Sequence, residues 1–315
     1  MTFAETIRER KPILTEGAIV ERVRRHPDVD LDPHIAHAGL IYSDKGRQVL
    51  ADIYRQYLSI GQKHGLPMLT LAPTWRANPD RTAKAGYGPV DKLNFDCVAF
   101  LKDICSGYGT YQKQLFVAGM LGCCNDAYNP QEALTSQAAE QFHLPQVKAL
   151  AAAQVDFIKA ATLPAVSEAL GIARAIASTG IPSVLSFVIR PDGTVLDGTP
   201  LHRAVAQIDS ETDQAPIFYM VNCVHPSVFM AAMTKETASD GMLSERVIGF
   251  QANTSSKSPE ELDNLPYLDT TAPEPFAELM QQIHRTFGTR LLGGCCGTDN
   301  RHLEKVAALL SEENQ

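Results

Sequence analysis

A run of apolar residues that ends in two cysteines between glycines, LLGGCCGTDN at residues 291–300, indicates both the fold and the site. Adjacent cysteines are poorly placed to bond to each other, because their Cα atoms lie ~3.8 Å apart, below the usual disulfide range of about 4.4–6.8 Å. Neighbouring side chains on a strand also point to opposite faces. The two thiols therefore converge only where a strand ends and the chain turns, and Gly293, Gly294 and Gly297 permit such a turn.

The apolar start of this stretch belongs to the last of eight β-rich runs. Most of the runs are continuously apolar, which is typical of strands buried on both faces. The predicted strands cover residues 13–18, 67–74, 114–121, 155–162, 182–189, 216–223, 246–253 and 289–296. Helix-like segments lie between them, and the last is expected to be capped by Thr298 or Asp299. The clearest predicted helices cover 131–153 (interrupted at Pro145), 164–179, 271–285 and 300–311.

Strands that alternate with helices in this way predict an α/β protein of the (β/α)8, or TIM, barrel class. The alternative is an open doubly wound sheet, but no glycine-rich dinucleotide fingerprint follows the first predicted strand. A length of 315 residues suits one barrel, so we expect a single domain over residues 1–315. Residues 254–270 read as a long polar loop after the seventh strand.

Composition limits the kinds of partner. With 44% hydrophobic and 20% charged residues the chain has ample material for a core, and its net charge of −8 argues against nucleic-acid binding. No apolar run approaches the ~20 residues that span a bilayer, and the first residues lack the apolar centre of a signal peptide. We therefore expect a cytoplasmic protein with no membrane partner, in which seven cysteines serve as thiols, metal ligands or catalytic groups.

The cysteines converge if the barrel prediction is correct. Active sites of TIM barrels lie at the C-terminal ends of the strands. The sixth predicted strand ends at Asn222-Cys223, the seventh at Asn253 and the eighth at Cys295-Cys296. Three thiolates around a fourth, open position are typical of a catalytic zinc site, and soft sulfur ligands favour zinc over magnesium or calcium. The alternative is that these cysteines are buried apolar side chains.

Two segments at these strand ends resemble the zinc-binding signatures of the homocysteine S-methyltransferase family: GGCCGTDNRHL at 293–303 and VNCVHP at 221–226. The resemblance implies a (β/α)8 barrel that binds Zn²⁺ through Cys223, Cys295 and Cys296. It also implies transfer of a methyl group from a donor such as S-methylmethionine, a betaine or a methylfolate to the sulfur of homocysteine. Weaker similarity extends over most of the chain, at ILTEG (13–17), APTWRAN (72–78), VDFIKAATLPAVSEA (155–169) and FQANTS (250–255).

The chain departs from the family pattern at two strand ends. The first strand of the family usually ends in Asp-Gly-Gly, where this sequence has Thr15-Glu16-Gly17, and the fourth usually ends in Glu-Thr, where it has Ala161-Thr162. In the family these acidic positions help to hold the amino group of homocysteine. Glu16 can replace one of them, but Ala161 cannot replace a carboxylate. We therefore interpret the chain as a divergent member that methylates homocysteine or a related thiol.

The resemblance and the residue chemistry together give each candidate a role. A thiol bound to zinc is held as the nucleophilic thiolate, which can attack the methyl carbon of a small onium donor: S-methylmethionine, S-adenosylmethionine or a betaine. The lone tryptophan could stack on such a cation, with simple packing as the alternative. The predicted site residues are Glu16, Asn222 and Asn253 in catalysis, Glu16, Trp75 and Thr162 in substrate binding, and Cys223, Cys295 and Cys296 as metal ligands.

Two other functions remain open at this point. A barrel with zinc-bound water could catalyse a hydrolytic or lyase reaction, although catalytic hydrolases favour histidine and carboxylate ligands. A zinc-binding barrel could also act without catalysis as a sensor or binding protein, and the missing carboxylate at Ala161 favours that reading. The leading prediction, methyl transfer within methionine biosynthesis, requires only a small-molecule thiol and a methyl donor. It is compatible with a homo-oligomer.

Overall fold

Eight parallel strands close into a barrel in the computed structural model, which describes residues 2–9, 11–239, 241, 243–257, 261 and 269–312. Each strand pairs with its neighbours in chain order, and β1 pairs with β8. The strands are β1 (Ile13–Thr15), β2 (Met68–Leu71), β3 (Leu115–Leu121), β4 (Phe157–Leu163), β5 (Ser183–Phe187), β6 (Phe218–Asn222), β7 (Val247–Ala252) and β8 (Leu291–Gly294). The predicted (β/α)8 barrel is confirmed, and each predicted run coincides with one strand.

Helices alternate with the strands. They are α1 (Phe3–Arg8), α2 (Val20–Arg24), α3 (Asp44–His64), α4 (Pro79–Lys84), α5 (Val90–Ser106), α6 (Ser136–Ala152), α7 (Val166–Ala177), α8 (Leu201–Glu211), α9 (Pro226–Ser239), α10 (Leu243–Arg246), α11 (Pro273–Phe287) and α12 (Asn300–Glu312). Short 3₁₀ helices lie at Ala38–Tyr42, Gly109–Gln114 and Pro130–Glu132. Among the described residues, no helix is both long enough and apolar enough to cross a membrane.

The predicted interruption at Pro145 is wrong, because α6 runs unbroken past this residue. A proline inside a helix removes one hydrogen bond and costs about 3 kcal/mol. Packing on both sides of Pro145 offsets that cost, since His143, Val147 and Leu150 are fully buried. The helix also begins later than predicted, at Ser136, where the side chain of Thr135 accepts a hydrogen bond from a backbone N–H of the first turn.

The start of α12 agrees with one of the two predicted caps. The Asp299 carboxylate accepts hydrogen bonds from the backbone nitrogens of Arg301 (2.9 Å) and His302 (3.4 Å). Thr298 has a different role, because its hydroxyl donates to the Cys295 carbonyl at 2.6 Å. Asp299 is therefore the cap. The predicted polar loop at 254–270 lies largely outside the described residues.

The two ends of the barrel differ in chemistry. At the N-terminal end of the strands, Phe3 of α1 stacks on Phe157 with ring centroids 4.1 Å apart and lies 5.6 Å from Phe116. These rings belong to an apolar cluster that fills this end of the barrel. The C-terminal ends of the strands carry the polar residues and the cysteines, so the candidate site lies at that rim.

Candidate active site

The structure brings the three predicted cysteines together. Cys223 follows β6, Cys295 and Cys296 follow β8, and their sulfur atoms all lie within 4.8 Å of one another. Within the described part of the chain, this is the one cluster of potential metal-binding side chains with that geometry. Cys223 and Cys295 are joined as a disulfide, with Cα atoms 5.6 Å apart, and Cys296 is free and exposed. Cys295 thus bonds across the rim and not to its neighbour.

The reduced cluster fits a zinc ion. With Zn–S bonds of about 2.3 Å in a tetrahedron, the ligand sulfurs lie roughly 3.8 Å apart, which is within the spread that the three sulfurs show. Sulfur is the ligand type that zinc accepts and that magnesium and calcium do not. Three protein ligands would leave the fourth position for a substrate. Reduction of the Cys223–Cys295 bond is a precondition, because a disulfide is not a thiolate ligand.

The backbone at Cys223 is held in an uncommon conformation. Its φ of 59° is in the left-handed region, which is unfavourable for a residue other than glycine. The Cys223 nitrogen donates to the Gln251 carbonyl at 3.1 Å, and the Cys223 carbonyl accepts from the Asn253 amide at 3.0 Å. Strain of this kind persists where neighbouring groups impose it, and it is frequent at functional sites. Asn253 therefore positions Cys223.

Glycines allow β8 to approach β1 closely enough to place the other two cysteines. A Cβ atom on Gly293 would lie 2.7 Å from the carbonyl oxygen of Thr15, closer than real Cβ contacts. The nitrogen of Gly294 donates to the Glu16 carbonyl at 3.1 Å, and the nitrogen of Cys295 donates to Ala252 at 2.8 Å. The glycines of the quoted sequence thus serve close packing of strands as well as the turn after them.

Asn222 connects three strands at the rim. Its side-chain oxygen accepts from the Thr162 nitrogen (3.0 Å) and the Ser186 hydroxyl (2.6 Å), and its amide donates to the Thr162 hydroxyl (2.8 Å). Thr162 has a φ of 61°, another left-handed residue. Both Asn222 and Thr162 line the cavity described below. The contacts of Asn222 are those of a residue that positions Thr162, and its predicted role in catalysis stays a prediction.

Replacing Asn222 with alanine is expected to destabilise the fold by about 2–4 kcal/mol, because it leaves buried partners on Thr162 and Ser186 unsatisfied. Asn253→Ala should cost less, about 1 kcal/mol, because one side-chain hydrogen bond is lost. Urea unfolding of both variants and the wild type, monitored by circular dichroism, measures the two values. Equal stability of Asn222→Ala and wild type would contradict the proposed positioning.

A cavity of about 250 Å³ opens beside the cysteines. Its volume suits small substrates, since sites for drug-sized ligands occupy about 300–1,000 Å³. Seven of the eight predicted site residues line it: Glu16, Trp75, Thr162, Asn222, Cys223, Cys295 and Cys296. Asn253 is not part of the lining, and it acts on the site through Cys223.

Glu16 is buried at the cavity wall and its carboxylate is already engaged. One oxygen accepts from the Thr70 hydroxyl at 2.8 Å and from the Leu71 nitrogen at 2.9 Å. Burial raises the pKa of Glu16 to about 7, although these two hydrogen bonds and the charge of Lys159 oppose the rise. A substrate amine would therefore have to share the Glu16 carboxylate with Thr70 and Leu71, and the predicted role of Glu16 in holding it stays a prediction.

Sequence reasoning missed Lys159, which lies in the barrel interior near Glu16. Its side chain is 2% exposed, and its ammonium group donates to the side-chain oxygen of Gln251. Burial lowers the pKa of Lys159 to about 7, with the charge of Glu16 opposing the change. A lysine in the middle of the apolar run VDFIKAAT (155–162) is a signal that could have identified it. His37 and Tyr128 also line the cavity, from loops that carry no such signal.

Trp75 lines the cavity, but a cation of the chain already contacts its ring. The Arg76 guanidinium lies 4.3 Å from the ring centroid, at cation–π distance. The indole nitrogen is buried without a hydrogen-bond partner in the described structure. Gly122 abuts the same ring, since a Cβ there would approach the indole nitrogen to 2.6 Å. Stacking of a methyl donor on Trp75 stays a prediction, and Arg76 limits the face that is available.

The fold and the site together define a class: a (β/α)8 barrel with a cluster of three cysteines at the C-terminal rim. The chain belongs to the homocysteine S-methyltransferase family, whose sequence model matches residues 13–310. This match confirms the resemblance that the cysteine segments indicated.

Individual relatives are similar to this chain in sequence or in fold. Homocysteine S-methyltransferase YbgG of Bacillus subtilis (strain 168) is 24% identical over 184 residues, which are 58% of this chain and 55% of that protein. The match thus spans about half the length of this curated relative. The homocysteine methyltransferase MmuM of Escherichia coli has the same fold in its oxidized (TM-score 0.76) and metallated (0.75) forms. Each is 20% identical, over 96% of this chain and 98% of that one.

Proposed function

We propose that this protein is a zinc-dependent S-methyltransferase that transfers a methyl group from a small onium donor to a small thiol. The acceptor is homocysteine or a related thiol, and the donor is S-methylmethionine, S-adenosylmethionine or a betaine. The observation that carries the proposal is the convergence of three cysteine sulfurs at the wall of a small cavity. Membership of the homocysteine S-methyltransferase family supports a thiol as the acceptor.

Cys223, Cys295 and Cys296 would hold the metal as thiolates once the disulfide is reduced. Bound zinc supplies one kind of chemistry: it lowers the pKa of an acceptor thiol, ordinarily near 8.5, so that the thiolate is present at neutral pH. Asn253 fixes the Cys223 carbonyl, and the close approach of Gly293 to β1 fixes the strand before the other two cysteines. The chain itself thus sets the positions of the sulfur atoms.

The cavity would align the two substrates. A new bond forms between the acceptor sulfur and the methyl carbon, while the bond from that carbon to the onium sulfur or nitrogen breaks. The electron pair of the broken bond stays on the donor, which leaves as a neutral thioether or amine. Apolar residues such as Ile19, Met120 and Tyr128 line the cavity and would exclude water. Alignment of this kind can contribute about 7–11 kcal/mol.

Small molecules would be the partners of such an enzyme, which we place in methionine biosynthesis in the reducing cytoplasm, where free thiols persist.

The competing zinc hydrolase would need a general base beside a metal-bound water. Glu16 is the buried carboxylate of the cavity, and Thr70 and Leu71 already occupy one of its oxygens. That engagement, together with an all-sulfur ligand set, favours methyl transfer.

An assay of thioether formation tests the proposed function. Reduced, zinc-loaded protein is incubated with pairs of one thiol and one of the three onium donors, and methylated thiols are measured by mass spectrometry. We expect thioether to form in proportion to enzyme and to require both substrates. A non-catalytic zinc-binding barrel would give no thioether with any pair, and a hydrolase would consume the donor without the thiol. Either result would contradict the proposal.

A further inference from the structure

Each carboxylate of the cavity has at least one partner in the chain. Two acidic residues, Glu16 and Glu21, are among those that line it. Glu16 accepts two hydrogen bonds from β2. One oxygen of Glu21 accepts from the Gly297 nitrogen, and the other is 3.4 Å from the Arg25 guanidinium. A substrate ammonium that enters the cavity therefore meets no carboxylate that lacks a partner within the described structure.

Lys159 already supplies Glu16 with the positive charge that a substrate ammonium would otherwise bring to it. It precedes Ala161 by two positions on β4, so both side chains point to the same face of the strand. Ala161 lines the cavity and is small, and the longer Lys159 reaches Gln251, another lining residue. The charges of Lys159 and Glu16 act on each other. A second ammonium beside Glu16 would be repelled by Lys159 and would lose its hydration.

Arg24 makes the cavity favourable for a negatively charged group of the substrate. It lines the cavity from the end of α2, and its charge acts on the sulfur of Cys296. Its guanidinium has no hydrogen-bond or ion-pair partner among the described residues, unlike that of Arg25, which contacts Glu21. A free guanidinium binds a carboxylate through paired, charge-assisted hydrogen bonds. The cavity thus presents one cation without a partner among the described residues, whereas each of its two carboxylates already has partners in the chain.

We propose that the preferred acceptor is a small mercaptocarboxylate: a thiol that carries a carboxylate but no ammonium group. Arg24 binds the carboxylate, the cysteine cluster receives the sulfur, and the Glu16–Lys159 pair excludes an amine. The inference rests on the proposed function, because it names the acceptor for the same site. Because a mercaptocarboxylate has no ammonium group, it does not need the carboxylate that Ala161 lacks.

Four thiols of matched length test the inference. Homocysteine carries both charged groups, γ-mercaptobutyrate only the carboxylate, mercaptopropylamine only the amine, and propanethiol neither. Binding is measured without a methyl donor, from the sulfur-to-cobalt charge-transfer band of reduced, Co²⁺-substituted protein. We expect γ-mercaptobutyrate to bind at least about tenfold more tightly than homocysteine, and mercaptopropylamine to bind most weakly of the four. Homocysteine binding as tightly as γ-mercaptobutyrate would overturn the inference.

Substitutions separate the two parts of the site. Arg24→Gln should weaken γ-mercaptobutyrate binding at least about tenfold and leave propanethiol unchanged, whereas Arg203→Gln, at an exposed position on α8, should alter neither. Lys159→Met should strengthen homocysteine binding relative to γ-mercaptobutyrate, because the repulsion of a substrate ammonium by Lys159 is removed and the Glu16 oxygen that is not bonded to β2 can accept it. Propanethiol binding serves as the control for folding in each variant. An unchanged homocysteine preference in Lys159→Met would contradict the role of the pair.

Failure of the inference and failure of the proposed function give different results. If the zinc form methylates homocysteine in preference to γ-mercaptobutyrate, the methyltransferase proposal stands and the acceptor inference is wrong. If the cobalt form ranks the four thiols as expected but the zinc form methylates none of them with any donor, the acceptor site stands and the proposed function is wrong.

Discussion

Cys296→Ser is expected to reduce bound zinc from about one ion per chain to a small residual fraction, and to lower thiol methylation at least about 100-fold. The sulfur of Cys296 is one of the three that lie within 4.8 Å of one another. A hydroxyl does not replace a thiolate at a zinc site, because it stays protonated at neutral pH and is a harder ligand. Elemental analysis of reduced, dialysed protein measures the metal.

Two comparisons make this result specific. Cys124→Ser changes a partly exposed cysteine that is not part of the cluster, so its zinc content should equal that of the wild type. Wild type analysed before reduction should take up little zinc, because Cys223 and Cys295 are then joined. A reduced wild type that carries no zinc and takes up none would contradict both the metal site and the mechanism built on it.

Gly293→Ala is expected to destabilise the protein by about 3 kcal/mol or more, at the upper end of overpacking effects. The new Cβ would lie 2.7 Å from the Thr15 carbonyl oxygen and 2.9 Å from that of Glu16. Both are backbone atoms of the adjacent strand, so no side chain can rotate to relieve the contact. Relief requires β8 to move away from β1, which displaces Cys295 and Cys296 as well.

Urea unfolding and zinc content of the same sample test this expectation. The matched control is Gly107→Ala on the end of α5, where the nearest atom to an added Cβ is 3.4 Å away. Because that site has an ordinary helical φ of −72°, alanine should be tolerated with no loss of stability. If Gly293→Ala unfolds at the same urea concentration as the wild type and binds zinc normally, the close approach of β8 to β1 is not required.

The barrel was predictable because its strands are short, continuously apolar runs that alternate with longer helix-like segments, so that run length and alternation together identify them. Strand ends were less predictable. The first predicted strand, 13–18, extends three residues beyond β1, because the chain turns where Glu16 bonds to β2. The helix interruption predicted at Pro145 was wrong for a related reason. The burial of the side chains around this residue is a tertiary property, which local helix propensity does not include.

The candidate site was predictable where residues of a distinctive chemical type, the cysteines, directly follow a predicted strand. The convergence of Cys223 with Cys295 and Cys296 follows from the barrel, because all three follow strands at one rim. The disulfide between Cys223 and Cys295 does not follow, since the choice of partner depends on side-chain directions after the turns. The network of Lys159 with Gln251 was likewise inaccessible, because it joins β4 to β7 across the barrel interior.

The spacing of the cysteines along the chain has a consequence for the biogenesis of the protein. Cys223 and Cys295 are 72 residues apart, and β8, which delivers two of the three sulfurs, pairs with both β7 and β1. During synthesis the ribosome releases β8 last, so no nascent intermediate holds the assembled cluster. If the cluster binds zinc as proposed, only a finished barrel could capture the ion, which would then join the end of β6 to the end of β8. On the proposed function, the metal would therefore enter at the end of maturation and not during synthesis.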